Sequence, residues 1–75
     1  MFQSYVEIER LDCRGLRCPL PIIKSAEKIK SEGSGYSFLL LSDDPATEPD
    51  LVAWSRMTGN HAVKEERDVF RITKA

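Results

Sequence analysis

Between Tyr5 and Leu11, Val6 and Ile8 alternate with Glu7 and Glu9, the period of a short strand with one wet face. From Leu20 to Glu32 the spacing changes. Ile22, Ile23, Ala26 and Ile29 recur at helical intervals. Lys28 and Lys30 suit the negative end of the helix dipole, and Gly33 is a natural stop. Tyr36 to Ser42 is apolar apart from Ser37, which predicts a strand central in a sheet or covered on both faces. Asp43-Asp44-Pro45 then makes a turn. A second amphipathic helix follows, carrying Leu51, Val52, Trp54 and Met57 and ending at Gly59. It has two candidate starts, Asp44 before Pro45 and Thr47 before Glu48-Pro49, and Pro49 is easier to place if the helix begins near Thr47. His61 to Glu66 and Val69 to Thr73 are two further strands joined by Arg67-Asp68, hence a hairpin.

The order is therefore β-α-β-α-β-β. It predicts an α/β (α+β) two-layer sandwich, a four-stranded mixed sheet with two helices packed on one face. The helix between the first two strands makes them parallel, through a right-handed connection. Residues 1–75 are expected to form one domain. A chain of this size buries only about 60% of its unfolded surface, so a deep cleft for a large substrate is not expected.

Eleven basic and twelve acidic residues leave a net charge of -1. That balance argues against nucleic-acid binding by phosphate neutralisation. The longest apolar run, Phe38 to Leu41, falls far short of the roughly 18 residues that span a membrane. The opening "MFQSYVEIER" is too polar for a signal peptide, so a cytoplasmic location with reduced cysteines is expected. Cys13 and Cys18 are separated by four residues, neither the Cys-x-x-Cys redox spacing nor half of a zinc site. The single histidine, His61, is expected in solvent, and neither metal nor cofactor is expected.

The chemistry concentrates in "LDCRGLRCPLP", residues 11–21. If the first helix begins at Pro19 or Leu20, Cys18 is its N-cap and Pro19 its first residue. Both Pro19 and Pro21 then fall where backbone N–H groups have no helical partner, and they stiffen the chain around the sulfur. A helix start stabilises an anion, and Arg14 and Arg17 add to this if they stay close. Cys18 is thus expected below the ordinary thiol value of about 8.5 and partly ionised near neutral pH. Free cysteines are commonly buried, and for Cys13 simple packing is the expectation. With no base in sight for enzymatic catalysis, an exposed nucleophilic sulfur fits a group carrier whose partners supply the acid, base and substrate pocket. Asp43 and Asp44 are expected to cap the second helix and shape a turn, and Trp54 and Met57 to pack in the core.

These residues resemble the TusA-like (SirA-like) sulfur-carrier family. The family's Cys-Pro-x-Pro stands at Cys18-Pro19-Leu20-Pro21 and its Asp-Asp-Pro at Asp43-Asp44-Pro45, and the likeness runs through the closing hairpin. The resemblance implies a two-layer sandwich of four strands and two helices. It implies that Cys18 carries sulfur as a persulfide, with Arg14, Gly15, Arg17, Pro19 and Pro21 framing it and forming a docking surface. The implied donor is a cysteine desulfurase or rhodanese-like sulfurtransferase. The implied use is transfer to an acceptor protein, as in tRNA thiolation or oxidative sulfur metabolism, by a carrier and not a stand-alone enzyme. Direct contact with nucleic acid or a membrane is not expected. The final hairpin, Glu66-Arg67-Asp68-Val69, lacks the glycine often found there. Two other functions fit the same residues: a non-catalytic regulatory or interaction module, and a thiol redox protein using Cys13 with Cys18.

Overall fold

A computed structural model describes residues 8–75. Its elements are β1 (Arg10–Asp12), α1 (Leu20–Ile29), β2 (Ser37–Leu41), α2 (Thr47–Thr58), β3 (His61–Glu66) and β4 (Val69–Thr73). The order matches the expectation, and β3 and β4 keep the expected bounds. The part of the expected first strand from Tyr5 to Glu7 lies outside the described residues; within them the strand begins at Arg10, later than expected, and extends one residue past Leu11 to Asp12.

The sheet order is β1-β2-β4-β3. β1 runs parallel to β2, and α1 makes the long crossover that a parallel pair requires. The remaining pairs are antiparallel, so the sheet is mixed. β2 is central, and its side chains alternate as the pleat dictates. Phe38 and Leu40 are buried and stand opposite Ile72 and Phe70 of β4. These four pack with Ile29 of α1, Leu51 of α2 and Cys13. Ser37, Leu39 and Leu41 fall on the other face and are half-buried, with Ser37 Oγ 2.8 Å from Thr73 Oγ1 across the strands. Both helices thus serve one core on one side of the sheet.

Three local expectations are corrected. α1 ends at Ile29, before the expected Glu32, because its last turn tightens: Lys30 N–H bonds to Glu27 O and Glu32 N–H to Ile29 O, each three residues back. The left-handed glycine after α1 is Gly35, at φ 89°, and not Gly33. Met57, expected in the core, is 83% exposed, while Trp54 is half-buried. The face of α2 that meets the sheet is the one carrying Thr47 and Leu51, so Met57 faces away from it.

The two candidate starts of α2 resolve in favour of Thr47. Asp44, Pro45 and Ala46 form the turn before it, with Thr47 N–H bonded to Asp44 O at 2.9 Å. Pro49 falls in the first turn, where its missing N–H costs nothing. Thr47 is buried, and its hydroxyl is 2.6 Å from that of buried Ser42, which satisfies both. Gly59 closes α2 in the left-handed conformation, its N–H bonded to Ser55 O at 2.9 Å. In the hairpin, Asp68 takes the positive φ of 62° that glycine often supplies, a conformation aspartate tolerates better than most residues.

Candidate functional site

The chain leaves β1 through two consecutive turns. Cys13 N–H still bonds to Leu41 O of β2 at 2.7 Å, and its side chain enters the core. Leu16 N–H then closes on Cys13 O at 3.0 Å, with Gly15 at φ 87°, a backbone region that strains residues with a Cβ. Leu20 N–H closes the second turn on Arg17 O at 2.8 Å, and Cys18 and Pro19 are its central residues. The Cys18–Pro19 peptide is cis.

α1 starts immediately afterwards. Pro19 is the residue at its N-cap, and its carbonyl accepts from Ile22 and Ile23 at 3.1 and 3.0 Å. Each motif residue therefore sits one position earlier than expected: Cys18 precedes the cap and Pro19 occupies it. The cause is the conformation of Pro19, whose φ of -100° and ψ of 18° are not helical. Leu20 and Pro21 take the first two helical positions. Pro21 is fully buried, so it fixes the start of α1 from within and contributes nothing to the outer surface. Cys18 itself is exposed.

The loop preceding α2 holds this segment from the other side. Asp43 Oδ1 accepts from Gly15 N–H at 3.0 Å, and Asp44 Oδ2 accepts from Cys18 N–H at 2.6 Å. Asp44 Oδ1 also accepts from Ala46 N–H at 3.0 Å, which gives it the expected turn-shaping role. Neither aspartate caps α2, since Ala46 is the cap residue and receives no side-chain bond. Their larger task is to staple the cysteine loop to the end of β2.

Asp50, in the first turn of α2, accepts a hydrogen bond from Cys18 Sγ. This bond leads the causes that push the Cys18 thiol above its ordinary value, followed by partial desolvation and then the charges of Asp50 and Asp44. The expected partly ionised thiolate is thereby corrected. The arginines do not offset the carboxylates. Arg14 is committed to Asp12 through two bonds of 2.9 and 2.8 Å, which pull Asp12 down to about 2. Arg17 acts on Asp44, whose carboxyl is held low mainly by the N–H groups of Ala46 and Cys18. Cys13 is raised as well, chiefly by burial. Fully enclosed, it is poorly placed to exchange with Cys18.

Asp50 escaped sequence reasoning because an acidic residue in a first helical turn already has a reason in the dipole. The available signal was its spacing. Asp50, Ala53, Trp54 and Met57 share one face of α2 at intervals of three, four and seven residues. With Cys18, Pro19 and Ile22 they line an open groove of about 310 Å³ between the two helices. Exposed Leu20 and Ile23 add apolar surface on α1.

A small α/β sandwich that offers one exposed thiol, in a shallow apolar groove at a helix start, is built as a carrier that meets other proteins at its surface. Residues 9–73 match the family described as Sulfurtransferase TusA, and the chain belongs to it. Its relatives carry sulfur-carrier names. The chain is 30% identical over 60 residues to the sulfur carrier protein TusA of Allochromatium vinosum, covering 80% of this chain and 79% of that one. It is 34% identical over 64 residues to YrkI of Bacillus subtilis, named as a candidate sulfur carrier, covering 85% and 84%. It is also 34% identical over 66 residues to a candidate sulfur carrier of Aquifex aeolicus. That match takes in 88% of this chain but only 34% of the longer Aquifex protein. Among the described residues no helix is long and apolar enough to cross a membrane.

Proposed function

We propose that this chain is a sulfur-carrier domain that accepts sulfane sulfur as a persulfide on Cys18 and delivers it to an acceptor protein. The observation that carries this reading is the placement of an exposed Cys18 Sγ in the groove between α1 and α2, beside apolar side chains that a docked protein would cover. The step balances without an outside oxidant. The Cys18 sulfur attacks the outer sulfur of a donor persulfide, the donor's S–S bond breaks, and a new S–S bond forms on Cys18. The donor sulfur leaves with the electron pair and takes up the proton that Cys18 gave up. Delivery is the same exchange with the acceptor as nucleophile.

A cysteine desulfurase or rhodanese-like sulfurtransferase, each able to present a persulfide, is the donor class the family resemblance supports. tRNA thiolation or oxidative sulfur metabolism in the cytoplasm would use the product. Arg17 and Pro19 are exposed beside the sulfur and would meet the partner, while Gly15 and buried Pro21 hold the loop in shape. Arg14, paired with Asp12, would play at most a peripheral part.

The test is intact-mass measurement after incubation with a cysteine desulfurase and cysteine. Wild type gains the mass of one sulfur atom, removable by a reductant, and Cys18→Ser gains none. Loading of Cys18→Ser to the wild-type level would move the cargo to another residue and end this assignment.

A further inference from the structure

The groove holds two things that oppose each other. Its apolar lining suits a docked protein, but its polar lining is a carboxylate placed on the one atom that has to become nucleophilic. Asp50 reaches Cys18 Sγ from a different helix, 32 residues further along the chain. Asp44 holds the backbone of the same residue from the loop before α2. The charged groups facing Cys18 are therefore Asp50 of α2 and Asp44 of the β2–α2 loop, with Arg17 of the cysteine loop acting on Asp44. A thiol that donates to a carboxylate is stabilised as the thiol, because ionisation would set two negative charges side by side.

Resting on the carrier reading above, we propose that Asp50 determines which sulfur donors Cys18 accepts, by keeping the free carrier's sulfur protonated until a docked donor protein brings a basic side chain against Asp50. The partner surface that fits is apolar, to cover Ile22, Trp54 and Met57, with a lysine or arginine placed to pair with the Asp50 carboxylate. Once that pair forms, the sulfur loses its acceptor and the opposing charge together. Small sulfane donors and oxidants in solution bring no such cation and meet a neutral thiol, the poorer nucleophile. Asp50 touches the reacting atom, so it acts on the chemistry and not on the fold alone.

The experiment uses Asp50→Asn and Asp50→Ala in the full chain, with circular dichroism to establish that both fold. The rate of Cys18 alkylation by iodoacetamide is followed against pH from the mass of the Cys18 peptide. Both variants are expected to shift the profile to lower pH and to react several-fold faster at neutral pH. Loading by inorganic polysulfide is expected to rise, and the ratio of donor-protein to polysulfide loading to fall. Profiles that superimpose on wild type, or move to higher pH, overturn the proposal. An unchanged loading ratio overturns it as well. The carrier reading fails separately, through loading of Cys18→Ser, and neither result can be mistaken for the other.

Discussion

The carboxylate of Asp44 accepts the backbone N–H of Cys18 at 2.6 Å across 26 residues of sequence. With the Asp43–Gly15 bond it makes the approach to the sulfur part of the sheet's own framework. The loop can thus expose a nucleophile without losing its shape, because the polar groups that define it are satisfied from a neighbouring element.

Removing this staple should have a pH signature. The carboxyl of Asp44 is held below its ordinary 3.8 by the N–H groups of Ala46 and Cys18, with a contribution from Arg17. A group depressed in the folded state contributes stability above its unfolded value, and the contribution is lost as pH falls through the folded value. Asp44→Ala should therefore melt below wild type at neutral pH, and the gap should close as pH drops beneath about 3.8. Asp12 titrates in both proteins and cancels in the difference. Thermal melts of the pair between neutral pH and strong acid measure it. Sulfur loading should also slow several-fold in the variant at neutral pH, as the cysteine loop loosens.

Cys13 should prove to be a core residue and nothing more. It is fully enclosed among Phe38, Leu40 and Ile29. Cys13→Ser buries a hydroxyl in that cluster and is expected to cost about 1–3 kcal/mol in urea unfolding. The same variant should still accept one sulfur in the mass assay. A loss of loading in a folded Cys13→Ser protein would instead give the two thiols a joint role.

Met57 allows docking to be separated from chemistry. At 83% exposure it supports no packing, so Met57→Glu should leave stability within about 0.5 kcal/mol of wild type. It stands on the groove wall with Trp54, where a carboxylate would meet the apolar surface of an incoming protein. Loading from a desulfurase should drop several-fold, while iodoacetamide alkylation of Cys18 stays close to wild type. Equal losses in both assays would show that the residue shapes the thiol's surroundings and not the partner's approach.

Much of this molecule follows from local pattern. Two short runs joined by Arg67-Asp68 marked the closing hairpin at its observed bounds, and the unbroken apolar run at Phe38 to Leu41 marked the central strand. Prolines at 19 and 21 placed the start of α1 to within a residue, because proline is tolerated at a helix start and disruptive within it. The exposed thiol at that start was legible for the same reason. The end of α1 and the side of α2 on which Met57 lies were not. Both depend on how the helices pack against the sheet, and neighbours in sequence carry no record of that.

The state of the sulfur shows where local inference stops. Residues adjacent in sequence to Cys18 include two arginines and a helix start, all of which favour an anion. Folding commits Arg14 to Asp12, leaves Arg17 with only a weak charge effect on Asp44, and brings Asp50 from the second helix onto Sγ. Hydrogen bonds and short-range charge act over a few ångströms of space, whatever the separation along the chain. Position and exposure of the nucleophile were thus written into the order of amino acids, whereas the upward push on its thiol comes chiefly from Asp50, 32 residues away on α2, and least from Asp44, 26 residues away in the loop before that helix.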